Sequence, residues 1–564
     1  MNRRAFLALA TVSPAAATLL PRYGHAATRE AKADVVIIGG GVGGCAAALA
    51  AADAGRTVIL NEPTAWVGGQ LTSQGVPPDE HPWIEESGSC KSYRRFRTLV
   101  RQFYRDHYPL SDAARKNMLL NPGAGSVSKL CHEPRVAVAV LMQMLAPHLS
   151  NGRIRLMLGF TPTAADVTGD RVRAVTVTGP AGAVALTAPY FVDATELGDL
   201  LPLTKCEFVI GAESQAETGE AHAPAIADPL NQQALTWCFA VDHRPGEDHT
   251  IPKPNDYAFW RDYVPKMSPA WPGKLLSWAM SQHNAPAQVR KVTFDPADPG
   301  AKGALNLWTY RRIVAKSNVT PASGLGDVCL VNWPQNDYWI GPVVGVPAAD
   351  ADKHLKRGVD LSLSLLYWMQ TSAPRPDGGT GFPGLRLRDD ILGTDTGVAM
   401  APYIRESRRI RAELTVTEAH VGTDMRSKQM SQKPGAVTAA AFADTVGVGS
   451  YRIDLHPSTA GTNYIDVSSL PFQIPLGALI PKRLDNLLPA CKNLGVTHIT
   501  NGCYRLHPVE WGIGEAVGRL VAYCLAKGET PRGVRAKHLV DFQGALVKAG
   551  VDLEWPADVR TKAR

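Results

Sequence analysis

The stretch ADVVIIGGGVGGCAAALAAADAG, residues 33–55, restricts the fold of this chain more than any other. Val35 to Ile38 are four apolar residues, mostly β-branched, and read as a buried parallel strand. Gly39, Gly41 and Gly44 follow as G-x-G-x-x-G, with Gly43 inside the cluster. The first glycine permits a tight turn, the second lets a pyrophosphate approach the backbone, and the third lets helix pack closely on strand. The alanine-rich helix that follows points its N-terminal amides at the phosphates, and Gly55 suits its end. A second strand, TVIL, leads to Glu62, placed to accept hydrogen bonds from a ribose 2′-OH. Strand, glycines, helix, strand and acid in register predict a dinucleotide-binding unit. At this point NAD and FAD fit equally.

The next segment, NEPTAWVGGQLTSQG, discriminates between them. Gly68 and Gly69 let the chain run tightly past a cofactor, with Gln70 and Thr72 beside it. Flavoproteins of the glutathione-reductase type have such a segment next to FAD, whereas the usual NAD dehydrogenases do not.

The first residues, MNRRAFLALATVSPAAATLLPRYGHAA, read as an export signal rather than a fold element. Arg3 and Arg4 form a positive region, an apolar run follows, and Ala26 and Ala27 close it. The run is shorter than the ~20 residues of a membrane-spanning helix. The paired arginines followed by Phe6 and Leu7 match a Tat signal, with an ordinary Sec signal as the alternative. Periplasmic or secreted localisation follows from either, and the Tat export machinery becomes an expected partner. No later segment is apolar and long enough to span a bilayer.

Hydrophobic residues make up 45% and charged residues 20%, the balance of a soluble protein large enough for two or more domains. The net charge of +7 includes three arginines of the leader. There is no basic stripe with interleaved aromatics, so nucleic acid is not an expected partner. The nine cysteines show no CxxC pair and no zinc spacing, so no metal site is expected. The odd count excludes a complete disulfide framework but leaves room for one or two bridges.

Further segments complete a resemblance. YFVDATELGDLL, APYIRESRRI, VGSYRIDLH and the long RLDNLLPACKNLGVTHITNGCYRLHPVEWGIGEAVGRLVAYCLA, with the two glycine segments and PPDEHPWIE, resemble the FAD-dependent oxidoreductase family. That family is related to the glutathione-reductase and fumarate-reductase flavoproteins, and some members carry a xanthan lyase label. The resemblance runs from about residue 33 to about residue 530. It implies an α/β fold: a Rossmann-like FAD-binding domain of the glutathione-reductase type with an inserted mixed α+β substrate or cap domain. It also implies FAD contacts from the turn holding Asp193 and Thr195, from Asn493 and Arg505, and from the last helix at Gly512 and Gly514. Glu196-Leu197 and Cys491-Lys492 depart from the family's pattern, Gly-Arg being usual at the latter.

Such folds are discontinuous. The expected organisation is a leader at 1–27, FAD-domain segments at 28–75, 126–215 and 481–530, an excursion at 76–125, a substrate or cap domain at 216–480 and a polar tail at 531–564. The segment HEPRVAVAVLMQMLAPHL has helical periodicity, residues 151–195 alternate as strands and hairpins, and DKHLKRGVDLSLSLLYWMQ marks a helix within the cap.

Flavin carries hydride transfer itself, and the protein supplies position, a proton acceptor and charge stabilisation. His507 and His498 adjoin the closing helix and lead the candidates for a base, followed by His456 and His81. Arg408, with Arg405 and Arg409, is a candidate for clamping a carboxylate or stabilising anionic flavin. The turn-rich VNWPQNDYW adds Asn332, Trp333, Asn336, Asp337 and Tyr338. The sequence thus points to an exported FAD-dependent oxidoreductase acting on a small organic substrate, with an unidentified electron acceptor. The alternatives are a flavin-containing lyase or hydratase, an NAD-dependent dehydrogenase, and a non-catalytic flavin or carbohydrate binder.

Overall fold

The computed structural model describes residues 29–300 and 303–564. The expected leader lies outside the described residues.

The βαβ unit centres a five-stranded parallel sheet. Its strand order is Leu487–Pro489, Tyr190–Asp193, Val35–Ile38, Val58–Glu62 and Ile154–Leu158. The sheet therefore draws on the beginning, the middle and the far end of the chain. Strands that alternate between two buried faces must be apolar throughout, and Val35 to Ile38 are all 0% exposed. Val35 and Ile37 pack with the helices, among Ala47, Leu141 and Val517. Val36 and Ile38 pack on the opposite face with Val172, Val175 and Val177 of a smaller sheet. That smaller sheet holds Arg29–Lys32, Thr161–Thr168, Arg171–Gly179 and Gly182–Thr187.

The first helix, Val42–Asp53, lies against the closing helix, His507–Lys527. The crossing is close because glycines make it. A Cβ on Gly514 would stand 2.0 Å from the Gly43 carbonyl oxygen, and one on Gly518 would stand 2.3 Å from that of Ala47. A Cβ on Gly43 would meet the Ala490 carbonyl oxygen at 1.6 Å. Gly43 and Gly514 are thus required by backbone packing, whatever else they contact. Gly512 also lies within the helix, its nearest neighbour Ile474. Gly512 and Gly514 lie beyond the first turn of the closing helix, whereas Gly43 is in the first turn of its own.

The cap is built on an antiparallel sheet ordered Arg312–Val314, Val328–Val331, Phe239–His243 and Leu385–Leu387. The 24-residue helix Ala348–Thr371 packs Leu361, Leu365 and Leu366 into its core beside Phe239, Val241 and Val331. The helices Lys91–His107 and Pro134–Ser150 instead pack in the core of the parallel sheet with Val35 and Ile37.

The segment expected to be a polar tail is instead packed. Helices Pro531–Lys537 and Leu539–Lys548 precede Trp555, which is 3% exposed and donates Nε1–H to the Phe472 carbonyl at 3.0 Å. Trp555 meets His81 edge-on with ring centres 5.0 Å apart. A buried aromatic anchor was invisible in a stretch otherwise rich in charge. Trp555→Ala is expected to cost about 3–5 kcal/mol, measured from urea unfolding midpoints. All nine cysteines are buried free thiols, so no disulfide forms here. Among the described residues no helix is long and apolar enough to cross a membrane.

Candidate active site

Two cavities meet beneath the cap. The first, about 210 Å³, opens onto the glycine loop and is lined by Gly39, Gly41, Asn61, Glu62, Gly69 and Thr195, among others. Gly39 has φ +98°, and a Cβ there would lie 2.3 Å from the Ala194 carbonyl oxygen, so the turn tolerates glycine alone. Gly41 caps the first helix, with no side chain bonded to the cap and no acid in the first turn. That leaves a positive helix end facing the cavity.

Glu62 ends its strand and reaches back to the loop. Its Oε2 accepts from the Gly40 amide at 2.9 Å, and its Oε1 accepts from the Thr64 amide at 2.9 Å and the Thr64 hydroxyl at 2.7 Å. A carboxylate offers about four acceptor positions, so one remains for a ribose hydroxyl. Burial pushes the Glu62 carboxyl up from its ordinary value, against the pull of Thr64 and Gly40.

Asp193 builds the opposite wall. Its Oδ1 accepts from the Thr195 amide at 3.0 Å and hydroxyl at 2.7 Å, and Oδ2 accepts from Leu200 at 3.1 Å. Asn493 closes the same turn, donating to the Asp193 carbonyl at 3.1 Å. Glu196, one of the departures from the family pattern, points its Oε1 at Gly41 and Gly69. That oxygen and Gln74 Oε1 are buried without a partner. The other Glu196 oxygen pairs with the buried ammonium of Lys492, which also lies 3.1 Å from Glu510. An uncapped helix end seeking an anion, beside buried acceptors seeking hydroxyl donors, fits the pyrophosphate and polyol of a dinucleotide.

The second cavity, about 140 Å³, is polar. Its lining includes Asp79, Arg311, Arg405, Asp454, His456 and Arg505. The wall between the two cavities is the extended segment Ala401–Arg405. Ala401, Pro402 and Ile404 face the glycine cavity, and Tyr403 and Arg405 face the polar one. Gln70 ties the two together from the other side, donating to the Arg505 carbonyl at 3.0 Å.

The strand Ile453–Leu455 supplies the polar cavity by simple alternation. Ile453 and Leu455 are buried in the core, while Arg452, Asp454 and His456 line the cavity. His456 donates Nδ1–H to Asp337 Oδ2 at 2.6 Å. Its Nε2 faces Asp454, 3.6 Å from Oδ2, so the ring sits between two carboxylates. Asp337 is fully buried; Arg405 stands 3.0 Å from its Oδ1, and Thr236 bonds it at 2.5 Å. Burial alone would raise Asp337, but Arg405 and His456 outweigh it and hold the carboxyl down to about 2. Asp454 is likewise held well below the carboxylate range, His456 and Arg505 overcoming its burial.

A group with a depressed pKa stabilises the fold above its unfolded value, near 3.9, and that contribution is lost as pH falls through about 2. Asp337→Asn is therefore expected to cost about 3–5 kcal/mol at pH 7, because it strips Arg405 and His456 of their counter-charge. In thermal unfolding across a pH series, the gap to wild type should close below pH ~4.

The remaining expected site residues are placed elsewhere. His507 is fully buried, accepts from the Asp79 amide at 3.1 Å through Nδ1, and is kept well below its ordinary pKa first by burial and then by Arg311. It lines neither cavity. His498 is locked to Glu406 at 2.8 Å in a network with Arg409 and Glu213. Arg408 binds the Leu197 carbonyl at 2.8 Å and Asp199 at 3.2 Å, on the outside of the Asp193 turn. His81 bonds the Gly88 carbonyl at 3.1 Å. His498 and Arg408 are held by neighbours distant in sequence, while His81 Nδ1 and His507 Nε2 are buried without a partner. Gly68 packs against Leu141, and Thr72 donates to the Val67 carbonyl at 2.7 Å; both shape the turn that presents Gly69. The sequence reading missed Asp79, His283, Tyr310, Arg311, Tyr403 and Asp454, which come from segments scattered across the chain.

A parallel sheet carrying a glycine loop, an uncapped helix end and an acid at the next strand define a nucleotide-cofactor oxidoreductase of the Rossmann class. Residues 34–545 match the FAD dependent oxidoreductase family, and the chain belongs to it. It is an FAD-dependent oxidoreductase, and FAD is its cofactor. No curated protein matches the chain. Among solved structures, an E. coli quinol fumarate reductase FrdA variant is similar over 92% of this chain and 75% of that one, at 11% identity and a TM-score of 0.33. OxyS anhydrotetracycline hydroxylase from Streptomyces rimosus is similar over 68% and 55%, at 13% identity and 0.26. The L-proline dehydrogenase of P. horikoshii is similar over 33% of this chain, which spans 25% of that protein, at 16% identity and 0.18.

Proposed function

We propose that this protein is an exported flavoenzyme that moves a hydride between FAD and a small organic molecule held in the polar cavity. The observation that carries the reading is the wall Ala401–Arg405, whose alternate residues face the cofactor cavity on one side and the polar cavity on the other. Bound FAD supplies the two-electron chemistry. Gly39, Gly41 and the first helix would hold its pyrophosphate, and Glu62 its ribose.

The chain's own residues do the rest. His456 Nε2 takes a proton from a substrate hydroxyl or amine while the adjacent carbon loses its hydride. Asp337, 2.6 Å behind Nδ1, stabilises the imidazolium that results. Arg405 keeps Asp337 ionised through that event. Arg311, Arg405 and Arg505 set a positive field on the substrate. Export rests on the leader sequence, with its paired arginines at Arg3 and Arg4.

The test is anaerobic mixing of the purified protein with candidate alcohols, amines and organic acids while the visible flavin absorption is followed. Bleaching by one class supports the reading. A compound that is consumed with no bleaching and no acceptor would replace it with lyase or hydratase chemistry.

A further inference from the structure

The guanidinium groups of the polar cavity differ in how well they are satisfied. Arg452 bonds Asp466, and Arg505 donates to Tyr403 at 2.8 Å and to the Asp454 carbonyl at 2.9 Å. Arg405 is held by the Ala234 carbonyl and the Thr236 hydroxyl, both at 2.8 Å. Arg311 is the exception. It is 8% exposed, its Nε and Nη1 have no partner, and Asp79 approaches its Nη2 only to 3.5 Å. Arg405 Nε and Arg505 Nε are also buried and unpaired.

A buried cation without hydrogen bonds is expensive. Guanidinium N–H groups are answered best by a planar carboxylate taken two bonds at a time. Arg405, Arg452 and Arg505 each have a carboxylate partner of their own in Asp337, Asp466 and Asp454, which leaves Arg311 the least well answered.

We infer that Arg311 is the substrate's carboxylate anchor, and that the substrate is a small hydroxy or amino acid whose carboxylate meets Arg311 and whose hydroxyl or amine faces His456. This deepens the flavin reading above and rests on it. Arg311 is a binding residue: it holds the acid in place while the reacting hydroxyl or amine faces His456.

The experiment titrates the FAD-loaded protein with glycolate, lactate, malate and alanine and, in parallel, with their neutral carboxamides. Binding is read as perturbation of the visible flavin spectrum. At least one acid is expected to bind about 10- to 100-fold more tightly than its amide. That preference should vanish in Arg311→Gln and return in part in Arg311→Lys, with both variants checked for folding by circular dichroism and for FAD content. Acids that bind no better than amides, no binding by any member, or a preference that survives in folded Arg311→Gln would each overturn the assignment. So would an Arg311→Gln variant whose only defect is lost FAD. A folded wild-type protein without flavin would instead remove the reading on which the inference rests.

Discussion

Gly41→Val is expected to give a folded protein that has lost FAD. Gly41 sits in extended backbone at φ −64° and ψ −171°, a conformation valine adopts readily. A Cβ there would meet only the end of the Glu196 side chain, at 3.0 Å, and no backbone within 3.5 Å. The added isopropyl group would instead fill the cavity at the mouth of the first helix, where the pyrophosphate must come close. FAD affinity is expected to fall by on the order of 100-fold or more, since close approach of phosphate to the helix end is lost. Fluorescence titration of the apoprotein with FAD gives the affinity, and urea unfolding gives the fold's stability. The contrast is Gly39→Ala, where the Cβ would lie 2.3 Å from a carbonyl oxygen at positive φ, so that stability and flavin fall together.

His456→Gln should separate chemistry from binding in the other direction. Removing a general base typically costs 10²–10⁴-fold in rate. FAD content should not change, because His456 lines the polar cavity and not the glycine cavity. Glutamine can still donate to Asp337, so the buried pair with Arg405 is preserved. Single-turnover flavin reduction should slow by that factor. An equal loss in His507→Gln or His498→Gln is not expected, since His507 lines neither cavity and His498 is tied to Glu406.

What could be read from the sequence was local. The strand, the turn at Gly39, the uncapped helix and Glu62 lie within thirty residues, and each obeys a rule of its own position. The hairpins before Asp193 and the helix near residue 360 are equally local patterns. The placements that were not legible depend on contacts between remote segments. Gly43 and Gly514 have the composition of a cofactor loop, yet they serve a helix crossing that appears only when both ends of the chain are together. His507 and His498 have the right residue type in the right segment, but Asp79 and Glu406 engage their Nδ1 atoms from elsewhere and neither ring lines either cavity. One signal was available and unused. In YRIDLH the apolar residues alternate with Arg452, Asp454 and His456, which puts three polar side chains on one face of a strand. Arg311 offered no such clue, since nothing in its neighbourhood in the chain marks it as unpaired.

FAD is expected to lie across the glycine loop with its reactive ring at the wall shared with the polar cavity. A crystal structure of the FAD-loaded protein measures this directly. Density for the pyrophosphate at Gly41 and the start of the first helix, with the ring beside Ala401–Arg405 and within reach of His456 and Arg311, is the expected result. A ring that points away from that wall, or FAD bound with the polar cavity sealed from it, would contradict the account.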